Sequence, residues 1–247
     1  MQKNRNAELK LNMKISVRIF AINRSEMRSS MGRKITMYIL RHGRQNSALC
    51  NVNVPLSEAG ERQSELAGQR LSEYNIYALY SSNLIRAVQT AEIINRNINV
   101  HNRIIEGLEE IDFGELTGLE DSVIKEKYKD YFDRREEYRE DIAFPGGEDG
   151  KTVYVRMKNA IDTIIDECKQ NDYERVAIVS HGGAIRAFLA GILGMEQSHR
   201  FLFAKTMENT SITQIDYDVD KDRFYVERIN DYSHIEGYPE LMRVHFI

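Results

Sequence analysis

Two apolar runs in this 247-residue chain each end on a His-Gly pair. Ile35-Thr36-Met37-Tyr38-Ile39-Leu40 leads into Arg41-His42-Gly43, and Val176-Ala177-Ile178-Val179 leads into Ser180-His181-Gly182-Gly183. Short runs rich in Ile and Val read as strands buried on both faces, the habit of parallel sheets with helices on either side. In open α/β sheets a ligand binds outside the carboxyl ends of such strands, where helices begin. The glycines permit close backbone approach, and Arg41 supplies a permanently charged planar fork suited to phosphate. The repeated strand end therefore implies both an α/β fold and an anion site served by histidine.

Between the two runs the pattern alternates. Ser57 opens a helix over about 57–73 that carries Leu66, Ala67 and Leu71, and Tyr77–Tyr80 forms a second strand. Ser81-Ser82-Asn83 offers caps for a helix with Leu84, Ala87, Val88, Ala91 and Ile94 on one face, which places Arg86 in its first turn. Residues 103–118 read as extended and Gly-punctuated. The charged stretch 119–140 reads as a helical solvated face or lid, ended by Pro145-Gly146-Gly147. A helix over 151–169, the 176–179 strand and a helix from Ala184 to Leu193 follow. Three strand-like runs close the chain: Phe201–Ala204, Ser211–Tyr217 and Phe224–Ile229. This order predicts a mainly parallel sheet covered on both faces, with antiparallel additions late in the chain.

A net charge of -4 gives no overall pull toward nucleic acid or anionic membrane, so a small phosphorylated molecule is the expected partner. Cys50 and Cys168 lack disulfide or metal-type spacing, which fits a reducing, cytoplasmic setting. No run approaches the roughly 20 apolar residues of a membrane span. Residues 1–34 are rich in Lys, Arg, Asn and Ser, and their best apolar run, Ile15 to Ile22, is broken by Arg18. They read as a mobile basic extension ahead of a single domain over 35–247. Neither a heptad nor an apolar stripe fixes an oligomeric state.

Arg41-His42-Gly43, Ser180-His181-Gly182-Gly183 and Arg86 at a helix start would share one crevice if their three strands are neighbours. With Leu40-Arg41-His42-Gly43, Pro55-Leu56-Ser57-Glu58-Ala59-Gly60, Ser81-Ser82-Asn83-Leu84-Ile85-Arg86-Ala87, Leu108-Glu109-Glu110-Ile111-Asp112-Phe113-Gly114, Pro145-Gly146-Gly147-Glu148 and Val179-Ser180-His181-Gly182-Gly183 in this order, the chain resembles the histidine phosphatase superfamily, in its phosphoglycerate mutase-like branch. The resemblance runs from about Thr36 to His234. It implies a three-layer α/β/α sandwich with a mainly parallel central sheet.

By that resemblance His42 is the nucleophile that forms a phosphohistidine, and Arg41, Arg86 and His181 hold the phosphoryl oxygens together with Gly182 and Asn46. Asn51 is the alternative to Asn46. Read alone, Glu109, Glu110, Asp112 and Glu115 are a solvated acidic loop. The resemblance makes Glu110 the general acid and base, with Glu109 as the fallback. Arg44 and the Arg134-Arg135 pair are candidates for an anionic substrate group, although exposed arginines are usually solvated. His234 is expected to be structural. Neither a cofactor nor a metal is expected.

The leading expectation is thus a metal-independent phosphatase of small phosphate monoesters. A mutase that returns the phosphoryl group to its substrate is the nearest alternative, and the short stretch between Gly43 and Pro55 favours hydrolysis over it. A non-catalytic phospholigand-binding module and a metal hydrolase using His42 and His181 are the others. The latter lacks accompanying residues at ligand spacing.

Overall fold

The computed structural model describes residues 32–243, so nearly all of the expected basic extension lies outside the described residues. In chain order the main elements are β1 (Lys34–Arg41), α1 (Glu58–Leu71), β2 (Ala78–Ser81), α2 (Ile85–Ile98), β3 (His101–Ile104) and α3 (Asp121–Lys127). They continue with α4 (Lys129–Glu136), α5 (Gly150–Asn171), β4 (Arg175–Ser180), α6 (Gly182–Ile192), β5 (Ile212–Asp218) and β6 (Arg223–Asp231).

The side-chain period of a strand decides the layering, because successive residues face opposite sides. In β1, Ile35, Met37 and Ile39 enter one core cluster and Leu40 the other; in β4, Val176 and Ile178 divide from Ala177 and Val179 in the same way. Met157, Ile161 and Ile164 of α5, with Phe188 of α6, cover the first face. Ala67 and Leu71 of α1, with Ala91 and Ile94 of α2, cover the second. Each fully buried side chain of this size contributes about 1.5–3 kcal/mol, so neither face can be left open. The result is the expected three-layer α/β/α sandwich.

The six strands lie in the order β3-β2-β4-β1-β5-β6. β1 to β4 run parallel, while β5 is antiparallel to β1 and to β6, so the antiparallel pairings do fall late in the chain. β4 sits between β1 and β2, with Arg41 level with Ser180 and Ser81 level with Val179. The three strand ends that carry the motifs are therefore neighbours.

Three local expectations need correction. Phe201–Ala204 is not a strand: Gln197–Leu202 forms a 3-10 turn, and Phe201 stacks on guanidinium groups instead of joining the sheet. The N-terminus of α2 is not capped by Ser81, Ser82 or Asn83; Asn53 Oδ1 accepts from Ile85 N at 2.9 Å. The 119–140 stretch forms two short helices and is not wholly solvated, since Ile124 and Tyr128 are buried in the core.

Candidate active site

The carboxyl ends of β1, β4 and β2 form the floor. His42 N donates to Ser180 O at 2.9 Å and Ser82 N to Val179 O at 3.1 Å, so the sheet ladder runs on into the motif residues. The turn after β1 lies directly on the start of α1. A Cβ on Gly43 would sit 2.5 Å from the Gly60 carbonyl oxygen, and one on Gly60 would sit 2.1 Å from that of Arg44. No larger residue fits at either position, and this contact holds the His42 backbone.

His42 is only 3% exposed. Its Nδ1 lies 2.6 Å from the Gly43 carbonyl oxygen. A carbonyl only accepts, so Nδ1 carries the proton and Nε2 keeps its lone pair. Arg86 Nε approaches that Nε2 at 3.2 Å. Burial, then the charges of Arg41 and Arg86, push the His42 pKa well below the usual histidine value, so the ring is neutral. Arg86 is itself buried and is oriented by Val52 O at 3.1 Å and Asn51 Oδ1 at 2.9 Å.

Arg41 donates from Nη1 to Met207 O, while its buried Nε has no partner. Burial and the nearby Arg243 press its pKa down to about 9, which still leaves it cationic at neutral pH. His181 is fully buried, with its ring centroid 5.0 Å from that of His42. Ser82 Oγ lies 2.7 Å from His181 Nε2, and His181 Nδ1 is buried without a partner. Burial comes first, then the electrostatic cost of charging a second ring beside His42 and the cation of Arg86; together they push the His181 pKa well below the usual range.

Glu110 is set against the start of α6. Its carboxylate accepts from Ile111 N at 2.9 Å, Ala184 N at 3.0 Å and Gly183 N at 3.2 Å. A Cβ on Gly183 would lie 2.6 Å from Glu110 Oε1, so the second glycine of the His181 motif makes room for this carboxylate. Arg156 fixes the loop behind it, donating to Glu110 O and Glu109 O and pairing with Glu148 at 2.9 Å. Glu109 turns away, accepting from Gly107 N at 2.7 Å. One oxygen of the fallback acid is thus engaged away from the crevice, and Glu109 lines neither cavity.

Above these residues lies a cavity of about 500 Å³ whose walls include Arg41, His42, Asn51, Arg86, Glu110 and Asn209. A second chamber of about 430 Å³ adjoins it and shares Arg41 and Glu110. Of the residues expected from sequence, Arg41, His42, Arg86 and Glu110 line the first cavity, Gly182 lines the second, and His181 lies beneath His42. Asn46 is exposed and lies outside both cavities, whereas Asn51 is on the wall and bound to Arg86. Arg44 lies at the rim, donating to Leu241 O at 2.6 Å and Met242 O at 2.9 Å. Arg134 pairs with Glu140 on the surface, and Arg135 lines the second chamber.

Three contributors escaped the sequence reading. Ser82 bonds to His181, Asn209 Nδ2 donates to His42 O at 2.9 Å, and Arg243 lines both chambers. Ser82 reads in the sequence only as a candidate helix cap, and the other two carry no local signal. Among the described residues no helix is long and apolar enough to cross a membrane.

The chain is similar to phosphoserine phosphatase 1 of Hydrogenobacter thermophilus, 34% identical over 152 residues that cover 60% of this chain and 69% of that protein. It is also similar to the broad-specificity phosphatase YOR283W of Saccharomyces cerevisiae, 26% identical over 212 residues covering 81% and 87% of the two chains. Among solved structures, Bacillus stearothermophilus YhfR superposes with a TM-score of 0.71 at 29% identity, covering 82% of this chain and 100% of that one. The family described as the histidine phosphatase superfamily (branch 1) matches residues 37–232, a span that holds both strand-end histidines, Glu110 and every strand from β2 to β6. The chain is an enzyme of the histidine phosphatase superfamily.

Proposed function

We propose that this enzyme hydrolyses small phosphate monoesters without a metal, through a phosphohistidine on His42. The observation that carries the reading is the neutral His42 ring, pinned through Nδ1 and presenting Nε2 beside Arg86 in a cavity that also holds Arg41 and Glu110. In the first step the Nε2 lone pair forms the N–P bond while the P–O bond to the alcohol breaks, and Glu110 gives that oxygen its proton. In the second, water attacks phosphorus, Glu110 takes the proton, and the N–P bond breaks to release phosphate. In the tautomer in which Ser82 Oγ–H donates to His181 Nε2, the His181 proton sits on Nδ1, the atom without a partner, and is free for a phosphoryl oxygen.

The charges suit this chemistry. A phosphoryl group changes its charge distribution during transfer, and donors fixed before the reaction stabilise it without reorganising. A guanidinium about 4 Å from a phosphoryl charge contributes roughly 4 kcal/mol at an effective dielectric near 20. Arg86 is buried and Arg41 half-buried beside the neutral histidines. The two free cysteines, Cys50 and Cys168, support a cytoplasmic setting.

The deciding experiment is phosphate release from a panel of monoesters in chelator, with His42→Ala alongside. Release that falls by on the order of 10⁴-fold or more in the variant is expected for a lost covalent nucleophile. An acid-labile, base-stable phosphoryl label on the native protein, absent from the variant, should accompany it. Interconversion of phosphoglycerates without release would make the enzyme a mutase. No turnover of either kind would leave a phospholigand-binding module.

A further inference from the structure

Two consecutive peptide planes behind the nucleophile are held by three buried side chains, each from a different part of the fold. The His42–Gly43 plane is gripped on both edges: His42 O accepts from Asn209 Nδ2 at 2.9 Å, and Gly43 N donates to Thr90 Oγ1 at 3.0 Å. The Gly43–Arg44 plane is gripped by Gln63, whose Oε1 accepts from Arg44 N at 2.9 Å. The opposite edge of that second plane is the Gly43 carbonyl, the partner of His42 Nδ1. Asn209 is 3% exposed, and Thr90 and Gln63 are fully buried. They come from the loop before β5, from α2 and from α1.

A peptide unit is planar, so fixing its carbonyl and its N–H fixes the torsions on either side. Here those torsions are ψ of His42 and φ of Gly43. The constraint matters because glycine turns freely. Without it, Gly43 would be free to swing its carbonyl off the imidazole, and Nδ1–H would lose the acceptor that sets the direction of the ring. Thr90 ties in a second group: its one hydroxyl proton is given to Arg86 O at 2.7 Å, so its oxygen meets Gly43 N–H only as an acceptor. One hydroxyl thus joins the nucleophile turn to the helix that carries Arg86, whose Nε faces His42 Nε2 at 3.2 Å. Gln63 is fixed in turn by its other end, Nε2 donating to Leu241 O at 2.6 Å.

We propose that Asn209, Thr90 and Gln63 are positioning residues for the nucleophile, which fix the Gly43 carbonyl and through it aim the His42 ring. The inference rests on the phosphatase reading for the role of His42, and it adds three residues that act through the backbone. A misplacement of about 1 Å at a reacting atom costs on the order of 10²-fold in rate, so a small turn of these planes is enough.

The test reads ring and rate together in Asn209→Ala, Gln63→Met, Thr90→Val and Thr90→Ser. The ring signal is the Nδ1–H proton resonance of His42, assigned by its loss in His42→Ala. In the native protein it should be sharp and slow to exchange with water. Asn209→Ala, Gln63→Met and Thr90→Val should broaden it and lower kcat on 4-nitrophenyl phosphate by about tenfold to a hundredfold. Inhibition by inorganic phosphate should change by less than about threefold in Asn209→Ala and Thr90→Val, because the phosphoryl-binding groups stay in place. Thr90→Ser keeps the hydroxyl and should recover most of both signal and rate. A merely structural role would not separate rate from phosphate binding, and serine, which leaves a gap where the methyl group was, would not rescue it.

An unchanged ring signal or an unchanged rate in any of the three damaging variants would overturn the role of that residue, and in all three the whole proposal. If the native protein shows no His42-dependent turnover, the phosphatase reading falls and the ring signal alone decides. Broadening in the variants then still supports the clamp on His42, and a signal that stays sharp overturns it.

Discussion

Two regions of this enzyme draw histidine partly or wholly out of water, and they use it in opposite ways. At the strand ends, His42 and His181 keep nitrogens that no neighbour fully occupies: Nε2 of His42 faces only another donor, and Nδ1 of His181 has no partner. Beyond β6, His234 is half-buried, and partial desolvation with the Arg70 charge pushes its pKa down to about 4. Both of its nitrogens are engaged, however, one with Arg70 at 3.3 Å and the other with Thr210 Oγ1 at 3.2 Å. Arg70 in turn grips both carboxylate oxygens of Asp231. A depressed histidine pKa is common to both regions and so does not mark the site. The mark is unfilled hydrogen-bonding capacity beside a cavity, which the catalytic region keeps and the His234 lock uses up.

If that contrast is right, changes in the crevice should lower rate and changes in the lock should lower stability. The largest effect within reach of the comparison is at Glu110. Glu110→Gln keeps an oxygen for the α6 amides but cannot deliver a proton. It should lower kcat/KM on alkyl phosphates by about 10²–10⁴-fold while sparing activated aryl phosphates such as 4-nitrophenyl phosphate. Thermal unfolding should shift little. An equal loss on both leaving groups would remove the acid role and make Glu110 a structural brace for the start of α6.

The lock should respond to pH. His234 in the unfolded chain takes up a proton near pH 6.5, whereas the folded protein resists until about 4. Its contribution to stability is therefore complete above about pH 6.5 and is lost as pH falls from there toward 4, by roughly 3 kcal/mol at most at 1.36 kcal/mol per unit. Asp231 is held well below the usual carboxylate range, chiefly by its hydrogen bonds to Arg70. Its contribution is present above the ordinary carboxylate pKa and declines below it. Urea midpoints measured between pH 7 and 4 should fall, and His234→Gln should flatten the slope without abolishing it, because His42 and His181 titrate in the same direction. Turnover per folded molecule at pH 7 should be retained in that variant. A large loss of turnover would make the two regions one functional unit, coupled through Thr210, whose N–H donates to Arg41 O at 3.0 Å.

The sequence spoke clearly where one local physical demand selects the residue. Strand ends 41–43 and 180–183 were legible because an apolar run must be buried on both faces, and a glycine must stand where the backbone of α1 or the Glu110 carboxylate comes close. Choosing between Glu109 and Glu110 needed the resemblance, since adjacent carboxylates differ only in the direction the loop gives them. Asn209 and Arg243 were silent because tertiary folding brings them in: β5 pairs antiparallel with β1 and places the residues before it against His42. Phe201–Ala204 has the composition of a strand, but its aromatic ring serves two guanidinium groups. Ser82 resembled a helix cap, yet its hydroxyl is committed to His181.

The smallest effect separates two asparagines five residues apart in one loop. Asn51 adopts a left-handed backbone with φ 45°, which Asn tolerates better than most side chains, and this turn brings its Oδ1 to Arg86 Nη2. Asn46 is exposed and only its backbone N–H is engaged, with Pro55 O at 2.8 Å. Asn51→Ala removes an acceptor from a buried guanidinium that must hold its direction toward His42. It should lower kcat/KM by about tenfold, the scale of one charge-assisted hydrogen bond, and weaken inhibition by inorganic phosphate in parallel. Asn46→Ala should leave both within a factor of two, as expected for an exposed side chain with no partner to lose. If Asn46→Ala instead matched Asn51→Ala in rate and in phosphate inhibition, the loop would have to rearrange on substrate binding, and the crevice would be less preorganised than its contrast with the His234 lock implies.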